Sequence, residues 1–237
     1  MRRIVFASFM SLMVVVLCGL GVWQVQRLSW KEALIARVNA RVHAPAVPAP
    51  GPQAWAGISD DDAYRHVRVR GHFLNGAEAQ IYALTELGAG YWVMTPLRTD
   101  DGAIVFVNRG YVPMDRKAQA TRAAGQTDGE VEVTGLLRLP EAKGWLFAQP
   151  NDPAHDLWYR RDIVAIAQSR RLGTIAPYFI DADATPNPGG LPRGGMTVIS
   201  FPNSHLVYAI TWFSLAIMLA WVLIWWWRRG PEAEERI

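Results

Sequence analysis

Pro202-Asn203-Ser204-His205-Leu206-Val207-Tyr208-Ala209-Ile210-Thr211-Trp212-Phe213 opens a run that carries no charge from Leu206 to Trp227. At helical rise the run is about 33 Å long, enough to cross the hydrocarbon core of a bilayer. Proline is tolerated at a helix start and asparagine is a good N-cap, so the helix is expected to begin at Pro202 and Asn203. His205 then lies in the first turn, at the membrane boundary. Helical spacing puts His205, Ala209, Trp212, Ala216 and Ala220 on one face, with Tyr208 beside it. Small residues on a membrane helix usually mark contact with a second helix, so the histidine is expected to face protein. An imidazole nitrogen with a free lone pair can ligate a metal, and an aromatic, apolar setting suits a porphyrin. A histidine at a membrane edge also serves as an interfacial anchor or a cap, and spacing alone leaves both uses open.

A second apolar stretch sits at the other end, from Ile4 to Trp23 behind Met1-Arg2-Arg3. It exceeds the usual core of a cleaved signal, and no A-x-A site follows, so an uncleaved membrane helix is expected. Ser8, Ser11, Cys18 and Gly19 form a small-residue stripe that is expected to meet the alanine face of the other helix. Arg228 and Arg229 follow the second span, while Arg193 is the nearest charge before it. That bias places the C-terminus in the cytoplasm. Two spans bring both termini to that side and export the central part. Trp23, Trp30 and Trp225-Trp226-Trp227 fit interfacial belts.

Between the spans there is room for one domain of moderate size. Five histidines and one cysteine, Cys18, are present in the whole chain. A lone cysteine inside a span rules out an intramolecular disulfide and a cysteine-based metal site in the domain. Lys and Arg form no run with interleaved aromatics, so no nucleic-acid partner is expected.

Residues 1–23 are read as the first transmembrane helix and 24–56 as an amphipathic helix and linker. Residues 57–184 form an exported β-rich domain, 185–203 a connector, 204–227 the second transmembrane helix, and 228–237 a cytoplasmic tail. Within the domain, Arg65 to Phe73 alternates apolar and polar residues as a half-buried strand. Asn75-Gly76 signals a hairpin to a return strand at about Ala79 to Leu84. A second hairpin joins Tyr91–Leu97 to Ala103–Arg109 through Thr99-Asp100-Asp101-Gly102. Pro96 marks the first of these strands as an edge at that point. Ile104-Val105-Phe106-Val107 reads as a buried strand, after which Asn108 to Pro113 leaves the sheet. Met114 to Ala124 is weakly helical, Val131 to Leu137 a strand, Pro140 to Asp156 a loop, Asp162 to Leu172 a short helix and Pro177 to Ala182 a last strand. The fold class is α+β: two transmembrane helices flanking a mainly antiparallel, barrel-like exported β domain with short helices.

The domain offers few chemical candidates. His66, Arg68, Arg70 and His72 line one strand face, which is read as an anion or partner contact or as a solvated face. His66 and His72 are about 20 Å apart at strand rise and cannot share a metal. Asp60-Asp61-Asp62 lacks the glycine and the distal glutamate of a calcium loop and reads as a solvated turn. Arg109 follows a buried strand and either presents a cation to a ligand or pairs with a carboxylate. His43 and His155 have no ligand-type neighbours. No nucleophile elbow, zinc-protease helix or phosphate-binding glycine loop is present, so a non-enzyme is expected.

Four motifs then share a resemblance. Leu20-Gly21-Val22-Trp23-Gln24 with Arg27 and Trp30-Lys31, Tyr64-Arg65 to Gly71-His72-Phe73, Thr95-Pro96-Leu97 with Val107-Asn108-Arg109-Gly110-Tyr111-Val112-Pro113, and Pro202-Asn203 with His205-Leu206, Tyr208-Ala209 and Thr211-Trp212 resemble the Surfeit locus protein family of cytochrome c oxidase assembly factors. Tyr111 stands where that family often has tryptophan. The resemblance covers nearly the whole chain. It implies a membrane-anchored assembly factor for a haem-copper terminal oxidase, binding haem a and aiding its insertion into the catalytic subunit. The alternative is a scaffold that stabilises an oxidase subunit without binding haem. His205 is the expected axial ligand to haem iron, with Tyr208 and Trp212 as pocket residues. Expected partners are the cytochrome c oxidase catalytic subunit, haem a synthase and membrane lipid. A start almost directly on a span points to a bacterial inner membrane rather than a mitochondrion.

Overall fold

A computed structural model describes residues 2–141, 149–199 and 201–229. Its helices are α1 (Arg2–Val42), α2 (Ile163–Ser169) and α3 (His205–Arg228). Its strands are β1 (Val47–Pro48), β2 (His66–Phe73), β3 (Ala79–Thr85), β4 (Gly88–Arg98), β5 (Ile104–Pro113), β6 (Glu130–Arg138) and β7 (Ile175–Ala182). The expected tail beyond Arg229, and residues 142–148 of the expected loop, lie outside the described residues. The chain divides into two compact units, one comprising α1 to Arg37 with the segment from Ile199 onward, the other Val38–Val198.

The helical unit is an antiparallel pair. Phe6 meets Trp226 edge-on at 4.9 Å near one end, and Gln24 meets His205 at the other. Both helices are long and apolar enough to cross a membrane. α1 turns Ala7, Met10, Val14, Leu17, Gly21 and Gln24 away from solvent, and α3 turns His205, Ala209, Trp212, Ala216, Leu219, Leu223 and Trp226. Both rows alternate steps of three and four, the spacing that lets side chains of one helix seat between those of another. Gly21 is the closest point: a Cβ there would lie 2.7 Å from the Phe213 ring. The expected stripe on α1 is corrected. Ser8, Ser11 and Gly19 are exposed, and only Cys18 of that set is half-buried. Residue size suggested the stripe, but the three-four register of the flanking apolar residues sets the seam. The cap is also corrected: Ser204, not Asn203, is the N-cap, and its carbonyl accepts from the Tyr208 N–H at 3.2 Å.

The second unit is a mixed sheet ordered β1-β2-β6-β7-β5-β4-β3, with β2 also paired to β4. That extra pairing closes β2, β6, β7, β5 and β4 into a five-stranded barrel. β5 and β7 run parallel, whereas β6–β7, β4–β5 and β2–β6 are antiparallel. Val105 and Val107 of β5 and Tyr178 and Ile180 of β7 join Val67, Leu97 and Leu137 in one core. Phe106 and Phe179 point the other way, into a layer with Ile163 and Ile166 of α2 and with Trp158. Period-two alternation thus gives each central strand two buried faces.

Two local expectations are overturned, and the one at Pro96 holds only locally. Asn75-Gly76 does not close a hairpin: residues 75–77 form a 3-10 turn, and β3 pairs with β4 instead. The hairpin turn lies at Thr85–Gly88, where Gly88 takes φ +98°. β4 is not an edge. Pro96 is buried, paired with Phe106, and falls between the last β3 partner, Met94, and the first β2 partner, Leu97. Its missing N–H therefore costs no ladder bond. Finally, Asn108 to Pro113 stays in the sheet, because β5 continues to Pro113 with every residue but the last buried.

Candidate functional site

His205 is the first residue of α3, and the seam turns it toward α1. Its Nδ1 lies 2.7 Å from Oε1 of Gln24, which is 8% exposed. An amide oxygen only accepts, so Nδ1 carries the proton and donates it. In the uncharged ring the lone pair is then left on Nε2. Metal-binding histidines are commonly held in this way: the second ring nitrogen donates to an oxygen that fixes both tautomer and ring orientation. Gln24 belongs to the Leu20–Lys31 motif, but sequence reasoning gave it no role. The signal was present in its spacing, three residues beyond Gly21 and seven beyond Leu17, which places a polar group in an otherwise apolar seam.

Trp212 lies two turns beyond His205 on the same row and is half-buried. Tyr208 is 53% exposed and stands off the seam. Thr211 returns its hydroxyl to the Val207 carbonyl at 2.9 Å and so satisfies itself within the helix. Lys31 lies over the Phe201 ring at 5.4 Å. At the opposite end Arg3 lies over Trp226 at 5.1 Å. Cationic heads over aromatic faces suit the interfacial ends of membrane helices.

The domain's other candidates are mostly occupied by structure. His66 Nδ1 lies 2.7 Å from the Ala44 carbonyl oxygen, and Arg68 donates to the Ala46 carbonyl at 3.0 Å. Both hold the linker, whose Val47–Pro48 adds to β2 as a parallel strand. Arg70 pairs with Glu132 on β6 at 2.5 Å, and His72 stands opposite Glu130 in the register. Asp60–Asp62 forms a 3-10 turn closed by a capping box from Ser59. His43 lies 2.8 Å from the Asn39 carbonyl oxygen and His155 pairs with Asp152 at 2.7 Å; both histidines are exposed. Among the described residues no three His, Cys, Asp or Glu side chains converge to hold a metal ion.

Two buried polar clusters were not foreseen. Glu78 and Arg122 form a bidentate ion pair with both side chains at 1% exposure or less. Asp181 on β7 accepts from Asn108 at 2.8 Å, Arg138 at 3.0 Å and Thr197 at 3.1 Å. Their partners are far apart in the chain, so only the barrel brings them together. Arg109 is 2% exposed and, among the described residues, has no carboxylate partner. The expected pairing with a carboxylate is therefore not found among the described residues.

These features define a class: a small closed β-barrel inserted between two apolar helices that pair through a polar contact at one end. A sequence model of the SURF1 family matches residues 11–217. Surfeit locus protein 1 of Rattus norvegicus is 38% identical over 228 residues, covering 89% of this chain and 71% of that protein. Surfeit locus protein 1 of Homo sapiens is 37% identical over 216 residues, 84% of this chain and 69% of that protein. The SURF1-like protein of Monosiga brevicollis is 38% identical over 226 residues, 89% and 84%. The chain belongs to the SURF1 family, as its four motifs implied.

Proposed function

We propose that the protein is an assembly factor for a haem-copper terminal oxidase, and that it takes haem a as cargo through Nε2 of His205. Family membership supports the assembly role. The haem reading is carried by a single observation: Nδ1 of His205 donates to buried Gln24 at 2.7 Å, leaving the Nε2 lone pair for a metal. The fit is chemical. An oriented imidazole in an apolar seam suits haem iron, whereas a bare cation would need a convergent set of ligands. A carrier gains from holding its cargo by one protein ligand, since release breaks one bond. Trp212, on the same row, supplies an aromatic wall. Tyr208, exposed, serves the cargo only from outside the seam.

The cargo would be taken at the outer membrane boundary, with both termini in the cytoplasm and the barrel exported. Arg228 and Arg229 beyond the second span support that orientation. The cytochrome c oxidase catalytic subunit is the proposed recipient, haem a synthase the proposed donor, and lipid the surrounding medium. No catalytic step is assigned to this chain. The competing scaffold reading uses the same family membership and makes the Gln24–His205 contact a structural clasp.

Purification from cells that make haem a, followed by pyridine extraction and a visible spectrum, separates the two. The haem reading predicts haem a with the native protein and its loss from His205→Ala. A native protein free of haem a, or a His205→Ala variant that retains it fully, would favour the clasp.

A further inference from the structure

The outer face of the β3–β4 hairpin is apolar and uncovered. Tyr82 and Leu84 of β3 and Leu87 of the turn are exposed, Leu84 at 80%. Tyr91 of β4 stands opposite Tyr82, and their rings meet edge-on at 6.2 Å. The free side of β3 is joined by Trp158, which bridges to Ile81 and whose carbonyl accepts from the Tyr82 N–H at 2.8 Å. Ile81 and Trp158 are both buried in one core layer. Period-two alternation then turns Leu157 and Tyr159 outward beside Tyr82. Leu157 is exposed, and the Tyr159 ring lies 6.4 Å from that of Tyr82. Leucines and tyrosines thus continue across three neighbouring segments, and a contiguous apolar surface of this kind marks an interaction site.

Leu84 and Leu87 also wall a groove of about 500 Å³, closed on its other side by Arg193 and the residues from Gly195 to Val198. Val198, 77% exposed, is the last residue of the barrel unit, and His205 opens α3 seven residues on. Seven residues reach at most about 25 Å fully extended, which bounds how far the groove can stray from the head of the second span. So short a tether keeps a bilayer surface at high effective concentration around the patch. The composition suits that neighbour. Leucines stand at the turn, tyrosines lie behind them, and Lys117 lies over the Tyr91 ring at 4.8 Å. Glu86 and Arg193, both exposed in the same groove, are opposite in sign and match zwitterionic headgroups. We propose that the β3–β4 tip is a lipid-contact surface. Leu84 and Leu87 enter the boundary between headgroups and acyl chains, and the tyrosines lie among the headgroups. The contact needs only the two spans and is independent of the haem reading.

The test uses the full chain in phosphatidylcholine nanodiscs, one copy to a disc, so that a second copy cannot cover the patch. Leu84→Cys and Leu87→Cys, each in a Cys18→Ser background, carry a nitroxide at an exposed position. Asp100→Cys in the same background is the control. Its turn lies at the far end of β4 from Gly88, about 33 Å along the strand. Relaxation by a water-soluble nickel chelate is expected to be lost at both leucine positions, with relaxation by oxygen retained. At Asp100 the nickel effect is expected to persist. Nickel relaxation at Leu84 and Leu87 equal to that at Asp100 overturns the lipid contact. If it then disappears when purified oxidase catalytic subunit is added to the disc, the occupant is a protein, and the proposal falls in favour of that partner.

Discussion

At the scale of single residues, buried polar groups set the sharpest expectations. Arg122 and Glu78 answer each other's charge inside the barrel. Arg122→Met leaves a buried carboxylate alone and is expected to destabilise the fold by about 3–5 kcal/mol, whereas replacing both partners by apolar residues recovers most of that loss. Chemical denaturation of the native chain and the two variants measures it. Tyr178 donates its hydroxyl to the Pro50 carbonyl at 2.7 Å, and burial pushes the phenol up to about 12 from 10.0. Below pH 10 both folded and unfolded phenols hold the proton. Between about pH 10 and 12 only the folded one does, so stability falls as pH rises through that window. Arg109, pushed down to about 10, acts in the opposite sense there. The Tyr178→Phe variant therefore isolates the phenol: its stability is expected to fall less steeply than the native protein's above pH 10.

At the scale of elements, two glycines mark where backbones and rings come close. Gly110 takes φ +122°, and a Cβ there would lie 2.0 Å from the Arg193 carbonyl oxygen. That carbonyl accepts from the Tyr111 N–H at 2.9 Å, so the connector cannot move away without losing a bond. Gly110→Ala is expected to cost at least about 2 kcal/mol, read from the same denaturation curves. In the helical unit, Gly21→Leu is expected to push the Phe213 ring out of the seam and lower the midpoint, and a second change, Phe213→Ala, is expected to restore part of it. Additive losses in that pair of variants would contradict the packing. Elements were legible in the sequence where one physical signal dominated. The charge-free runs gave both helices, and the unbroken Ile104–Val107 run gave a buried strand. Partners were legible less often. Asn75-Gly76 carries strong turn chemistry, yet the barrel pairs β2 with β6 and β4, so long-range closure overrode a local signal. Pro96 read as an edge because the sequence does not show that one neighbouring strand ends where another begins.

At the scale of the whole molecule, fold class and family were legible because apolar length and motif order survive without coordinates. The candidate site was half legible. His205 stood out by its residue type and its place at the head of a span. Gln24 did not, because its role depends on which residue faces it across the seam, 181 positions away in the chain. The clusters around Asp181 and Arg109 were invisible for the same reason: their partners come from strands and loops that only the closed barrel assembles. The membrane arrangement makes its own prediction. Reporters fused to either end are expected to be active only on the cytoplasmic side, and a reporter in the β3–β4 turn only on the outer side. An end found outside would reverse the proposed orientation. The central claim is that Gln24 holds His205 so that Nε2 can take iron. Its most direct test is titration of the purified, haem-free protein with haem a, followed by the Soret band. The Gln24–His205 contact predicts saturable binding by the native chain, weakening by about 10- to 100-fold in Gln24→Leu, and loss in His205→Ala. One shared dissociation constant for all three proteins would contradict it.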